Sequence, residues 1–179
     1  AVCALLAFRL VWGFAGGHWS RFANFLYSPA VLLRYLRGEG RDDEHLDVGH
    51  TPLGSVSVFA MLLFLSAQVA SGLFADDEIA TTGPLNKLVS SAAGLWFSGY
   101  HRSIGQWVLL ALILLHVAAT LTYRVRLRID LIGPMISGDK LLRSGVPASE
   151  DGDATRALAA VLLTACAAIV ACVVTVVGG

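Results

Sequence analysis

Charge is scarce in this chain. Only 15% of its 179 residues are charged, and 13 Lys and Arg balance 13 Asp and Glu to a formal net charge of zero. A neutral chain has no electrostatic footprint for nucleic acid, so no nucleic-acid partner is expected. Cysteine is nearly absent: Cys3, Cys166 and Cys172 all lie in apolar runs, where a thiol behaves as a small packing group. They form no disulfide framework, and the absence of C-x-x-C-H excludes covalent c-type haem attachment. No carboxylate interrupts the apolar runs and no pair of broken helices is visible, so nothing favours a transporter. The first residues carry neither a basic leader nor a small-residue cleavage pattern, which argues against a signal peptide. No catalytic residue is assigned.

Apolar residues dominate instead. They make up 56% of the chain, and the mean hydropathy is +0.69. Soluble domains are less apolar and more charged, so the expected class is an all-α integral membrane protein built as a transmembrane helical bundle. A bilayer-spanning helix needs roughly 20 apolar residues. Four runs approach or meet that length: residues 1–15, about 49–74, 100–123 and 155–177. The first run is slightly short, and it opens on Ala1 rather than Met. It reads as the end of a helix whose beginning is absent, so the chain is expected to be an N-terminally truncated piece of a longer protein.

Between the runs lie three connectors. The first contains Ser28-Pro29, an N-cap followed by Pro at the first helical position, ahead of AVLLRYLRG. That stretch mixes apolar and basic residues at helical spacing and is expected to lie in the membrane interface. RDDEHLD (41–47) reads as a solvated loop. The second connector, 75–99, carries Asp76, Asp77 and Glu78 and is expected to be exposed. The third is basic, with Arg124, Arg126, Arg128, Lys140 and Arg143, and includes a flexible polar SEDGD segment at 149–153. The basic residues concentrate in the first and third connectors. By the positive-inside rule, these are expected to face the cytoplasm, and the second connector and the C-terminus to face outside. The organisation expected is a core over 1–140, a flexible loop over 141–154 and an additional C-terminal helix over 155–179, with lipid around the whole.

The run YHRSIGQWVLLALILLHVAATLTY (100–123) carries the chemistry. His101 stands at its start and His116 well inside. At about 1.5 Å and 100° per residue, the two imidazoles lie roughly 22 Å apart along the axis and within about 60° of one face. One helix can thus offer an iron ligand near each side of a membrane, as two stacked haems require. An ionisable residue buried in an apolar run is expensive and points to function. Haem iron held by two histidines needs imidazoles from facing helices. Gly105, about one turn after His101, reads either as a gap for the macrocycle or as close helix packing. His18 and His45 fall in polar connector and read as solvated.

These residues resemble the bacterial cytochrome b561 family, in the branch that includes the cytochrome b subunit of nickel-iron hydrogenases. The resemblance runs through FRLVWGFAG (8–16), RFANFLYSPAVLLRYLRG (21–38), GHTPLG (49–54), the His101 segment, LLHVAA (114–119) and MISGDK (135–140). It implies a four-helix core with two b-type haems, and His101 and His116 as iron ligands. Their partner ligands would come from the first two family helices, of which the first and the start of the second have no counterpart here. It also implies electron transfer between a redox partner (a hydrogenase, another dehydrogenase or a cytochrome c) and the quinone pool. His50 matches a family histidine that touches a haem propionate or helps form a quinone site. Arg9 and Arg124 either pair with propionates or are ordinary positive-inside residues. Two positions depart from the family: Arg102 stands where an acidic residue often follows the histidine, and Thr51 where Asn is common.

A reading from a different class is a haem-free membrane anchor or scaffold, in which the two histidines only hydrogen-bond between helices. Haem content of the protein separates the two.

Overall fold

The computed structural model describes residues 1–40, 46, 48–126, 128–137, 146 and 152–178. The described residues are helical throughout, apart from turns and one isolated antiparallel bridge between Asp76 and Thr82. Helix α1 spans Val2–Ala15. Short 3-10 turns at His18–Ser20 and Phe22–Asn24 lead to α2, Pro29–Leu36. Ser28 caps α2 through its side chain, which accepts from the Val31 N–H (3.4 Å), with Pro29 at the first position, as the sequence predicts. Gly38 ends it at φ +75°, a left-handed conformation that favours glycine. The long α3, Pro52–Phe74, is capped the same way: Thr51 Oγ1 accepts from the Gly54 N–H at 3.1 Å.

After α3 the structure departs from expectation. The connector predicted over 75–99 is helical from Ser91 onward. Ser90 caps α4, Ser91–Tyr100, which runs through a π-helical turn at His101–Gly105 into α5, Gln106–Val125. The result is one continuous helix of 35 residues. The Trp96-Phe97 pair, which falls within the expected connector, lies on this helix, because Ser91–Tyr100 contains no helix breaker beyond two glycines. A short α6, Ile132–Ser137, and the long α7, Asp153–Gly178, complete the order. His45, the end of the MISGDK segment and most of the expected loop at 141–154 lie outside the described residues.

Among the described residues, three helices are long and apolar enough to cross a membrane: Pro52–Phe74, Ser91–Val125 and Asp153–Gly178, with mean hydropathies of 1.9, 2.0 and 2.8 over an 18-residue stretch of each. The fourth expected span, α1, has 14 residues, about two-thirds of the roughly 20 that a span requires. Helix α1 packs against α7 and α3, and α3 packs in turn against α4, the π turn and α5. The end of α7 abuts the second connector, since a Cβ on Gly178 would lie 2.9 Å from Pro84 Cβ. The C-terminal end of α7 and the 75–90 connector therefore share one end of the bundle.

Few large side chains are buried. Phe25 is 2% exposed, and most apolar residues of α5 and α7 face outward, while those of the more central α3 are mostly half-buried. This is the pattern of a protein whose solvent is hydrocarbon, where association rests on close packing and interhelical hydrogen bonds rather than on an oily core.

Candidate haem-ligand site

Helix α3 carries a polar stripe formed by Ser57, Gln68 and Ser71. Eleven and fourteen residues after Ser57, at about 100° per residue, Gln68 and Ser71 return to nearly the same face. That stripe receives both histidines of the partner helix. The His101 ring meets α3 at Gln68 and Ser71: its Nδ1 lies 3.0 Å from the Gln68 carbonyl oxygen and 3.1 Å from Ser71 Oγ. A carbonyl can only accept, so Nδ1 carries a proton, and in the neutral ring Nε2 then keeps its lone pair. The Ser71 hydroxyl, 2% exposed, donates to the same carbonyl at 2.9 Å. Gly72 leaves room for the ring, for a Cβ there would come within 2.9 Å of His101 Cε1.

Gln68 also bonds in the opposite direction. Its Nε2 donates to the His101 carbonyl at 3.0 Å, within the widened π turn. Such single-turn bulges are frequent at functional positions. Gly105 is buried at the end of this turn, and a Cβ on it would collide with Gln68 Oε1 and approach Tyr100 Cε1 to 2.8 Å. Gln68 thus fills the space in front of Gly105. The pairing of Gln68 with His101 joins residues 33 positions apart, and nothing local in the sequence signals it.

His116 is placed at the opposite end of the stripe. Its Nδ1 lies 3.5 Å from Ser57 Oγ, at the outer limit of a hydrogen bond. Near this end sits a cluster missed by spacing alone. The Phe25 ring lies 4.5 Å from that of His50 and 5.5 Å from that of Phe59, and the Arg9 guanidinium stands 5.0 Å over the Phe22 ring. Tyr27 holds the segment by donating its hydroxyl to the His50 carbonyl at 3.0 Å. Among the described residues, His50 Nδ1 and Arg9 Nη1 are buried without a hydrogen-bond partner. In the turn before α3, burial above all pushes the His50 imidazole below its ordinary pKa, helped by the charges of Arg9 and His116.

The structure therefore brings His50, Arg9 and His116 to one end and His101 and Gly105 to the other. Arg124 joins neither group. It is exposed and pairs with Asp130 at 3.2 Å. His18 stacks edge-on against Trp19 at 4.8 Å. Among the described residues no group of three or more His, Cys, Asp or Glu gathers around one point, and a bis-histidine haem needs none.

The model of the family described as prokaryotic cytochrome b561 matches residues 1–138. The chain belongs to the prokaryotic cytochrome b561 family. Among curated proteins it is similar to a probable Ni/Fe-hydrogenase B-type cytochrome subunit of Bradyrhizobium diazoefficiens, at 23% identity over 152 residues, covering 75% of this chain and 60% of that protein. The chain thus spans about 60% of the length of the curated relative it matches. No solved structure matches. Within this cytochrome b561 chain the donor set at His101 fits a haem iron: an imidazole with Nδ1–H anchored on a carbonyl and Nε2 unprotonated is the form that binds metal.

Proposed function

We propose that the protein is a membrane-bound b-type cytochrome that carries electrons between a redox partner and the quinone pool through two haems b. His101 Nε2 and His116 Nε2 would each hold one haem iron. The observation that carries this reading is the anchoring of His101 Nδ1 on the Gln68 carbonyl, which leaves a lone pair on the other ring nitrogen. Haem, when bound, supplies reversible one-electron chemistry at iron.

The chain's own residues hold the ligands and set their surroundings. Helix α3 orients both imidazoles on one face, roughly 20 Å apart along the helix. The apolar faces of α3 and α5 keep water from the ligands and lower the local dielectric. At the His116 end, His50 and Arg9 present buried nitrogens without partners. These suit an oxygen-bearing group, either a haem propionate or a quinone carbonyl. The concentration of basic residues in the first and third connectors supports a cytoplasmic side for this end and an outer side for the C-terminus. The resemblance to a hydrogenase cytochrome subunit supports a hydrogenase as the redox partner.

A pyridine haemochrome assay with a reduced-minus-oxidised spectrum, on protein from the complete reading frame, tests the reading. Two b-type haems per chain are expected, with loss on His101→Ala or His116→Ala. A full-length protein without haem would leave a membrane anchor whose histidines only link helices.

A further inference from the structure

The two histidines are held unequally, and the inequality resides in α3. His101 Nδ1–H has two acceptors within ordinary hydrogen-bond distance, the Gln68 carbonyl at 3.0 Å and Ser71 Oγ at 3.1 Å. Ser71 spends its own proton on the Gln68 carbonyl at 2.9 Å, so its oxygen faces Nδ1 as an acceptor. The assembly is sequestered, with Ser71 2% exposed. His116 Nδ1 has a single neighbour, Ser57 Oγ, at 3.5 Å. The Ser57 hydroxyl can rotate to donate or accept, so it does not impose a tautomer as a carbonyl does.

An acceptor on the distal N–H of a ligating imidazole raises the electron density on the other nitrogen. A more basic ligand stabilises the oxidised metal and lowers its reduction potential. Resting on the haem reading above, we propose that Ser71 and the Gln68 carbonyl are positioning groups that make His101 the stronger donor. They thereby set the haem at the His101 end at a lower potential than the haem at the His116 end. The driving force for electrons then runs from the His101 end toward the His116 end, where His50 and Arg9 lie. Ser71 touches no iron on this account; it acts through His101.

Redox titration of the full-length haem protein, with low-temperature EPR of the ferric state, tests the inference. Two potential waves are expected in the parent protein. Ser71→Ala is expected to shift the lower wave upward and change the low-spin signal of one haem only, and Ser71→Thr, which keeps the hydroxyl, to restore both. Ser57→Ala is expected to move the lower wave not at all. The inference is overturned if both waves keep their parent potentials in Ser71→Ala. It is equally overturned if the variant only loses haem while the remainder titrates unshifted, which would mark Ser71 as merely structural. Absence of haem from the parent protein would instead defeat the functional reading itself.

Discussion

Gln68 and His101 are bonded in both directions. The His101 imidazole donates to the Gln68 carbonyl at 3.0 Å, and the Gln68 side chain donates to the His101 carbonyl at 3.0 Å. Gln68 enters the first bond through its backbone carbonyl and the second through its side chain, so mutation can separate them. Replacing Gln68 by Leu removes only the side-chain bond, together with the buried Oε1 that lacks a partner. The two losses offset. An interhelical hydrogen bond in a membrane protein averages about 0.6 kcal/mol, so Gln68→Leu is expected to cost less than about 1 kcal/mol. The Nδ1–H tautomer of His101 should survive, read as an unchanged pattern of imidazole nitrogen shifts in NMR of the labelled protein.

Gly105 should be far less tolerant. A Cβ there would meet Gln68 Oε1 and Tyr100, where the π turn packs against α3. Overpacking costs typically 1–3 kcal/mol. Gly105→Ala is expected to lose about that much stability, and Gly105→Leu to force the helices apart. The midpoint of denaturation in a mixed detergent series checks both. A Gly105→Ala protein as stable as the parent would show that Gln68 rotates away freely.

The 75–90 connector is organised by Asp77. Its carboxylate accepts from the backbone N–H groups of Ala80 (2.9 Å), Thr81 (2.8 Å) and Ile79 (3.2 Å), and from Arg102. The backbone donors chiefly, and Arg102 less, hold the Asp77 carboxyl well below the usual carboxylate range. A depressed carboxyl contributes stability that is fully present above the unfolded pKa of about 3.9 and is lost as pH falls through the folded value. The connector is therefore expected to resist protease equally from about pH 8 to 5 and to loosen only below about 4. Asp77→Ala should expose it at every pH. Arg102→Ala should change little, because the Arg102 side chain is 64% exposed and such pairs contribute little.

Helix α2 is tied to the end of α5 by the hydroxyls of Tyr35 and Tyr123, 2.9 Å apart. Burial first, then this bond, pushes the Tyr35 hydroxyl up to about 12. Tyr35→Phe is expected to remove about 1 kcal/mol and to free α2, seen as faster amide exchange over Pro29–Leu36. In the parent, ultraviolet titration should show one tyrosine ionising well above the ordinary value of about 10.

Composition and run length were enough to define an all-helical membrane protein and the spans at α3, α5 and α7, and the Ser28-Pro29 pair was enough to place the start of α2. These depend on local hydrophobicity and on groups a few residues apart. His101 and His116 were legible as a pair because a helix converts sequence spacing into axial spacing by a fixed rise. The extension of the third span back to Ser91 was not legible, since Ser91–Tyr100 has two glycines and interfacial aromatics that read equally well as loop. Nor was the division of the cationic residues visible: Arg9 and Arg124 look alike in sequence. Only packing sends Arg9 over Phe22, while an exposed carboxylate, Asp130, engages Arg124. The pairing of His101 with Gln68 and Ser71 joins residues about thirty positions apart, and no local pattern encodes it. It exists because α3 and the π turn pack at Gly72 and Gly105, close enough for a side chain on one helix to reach the backbone of the other.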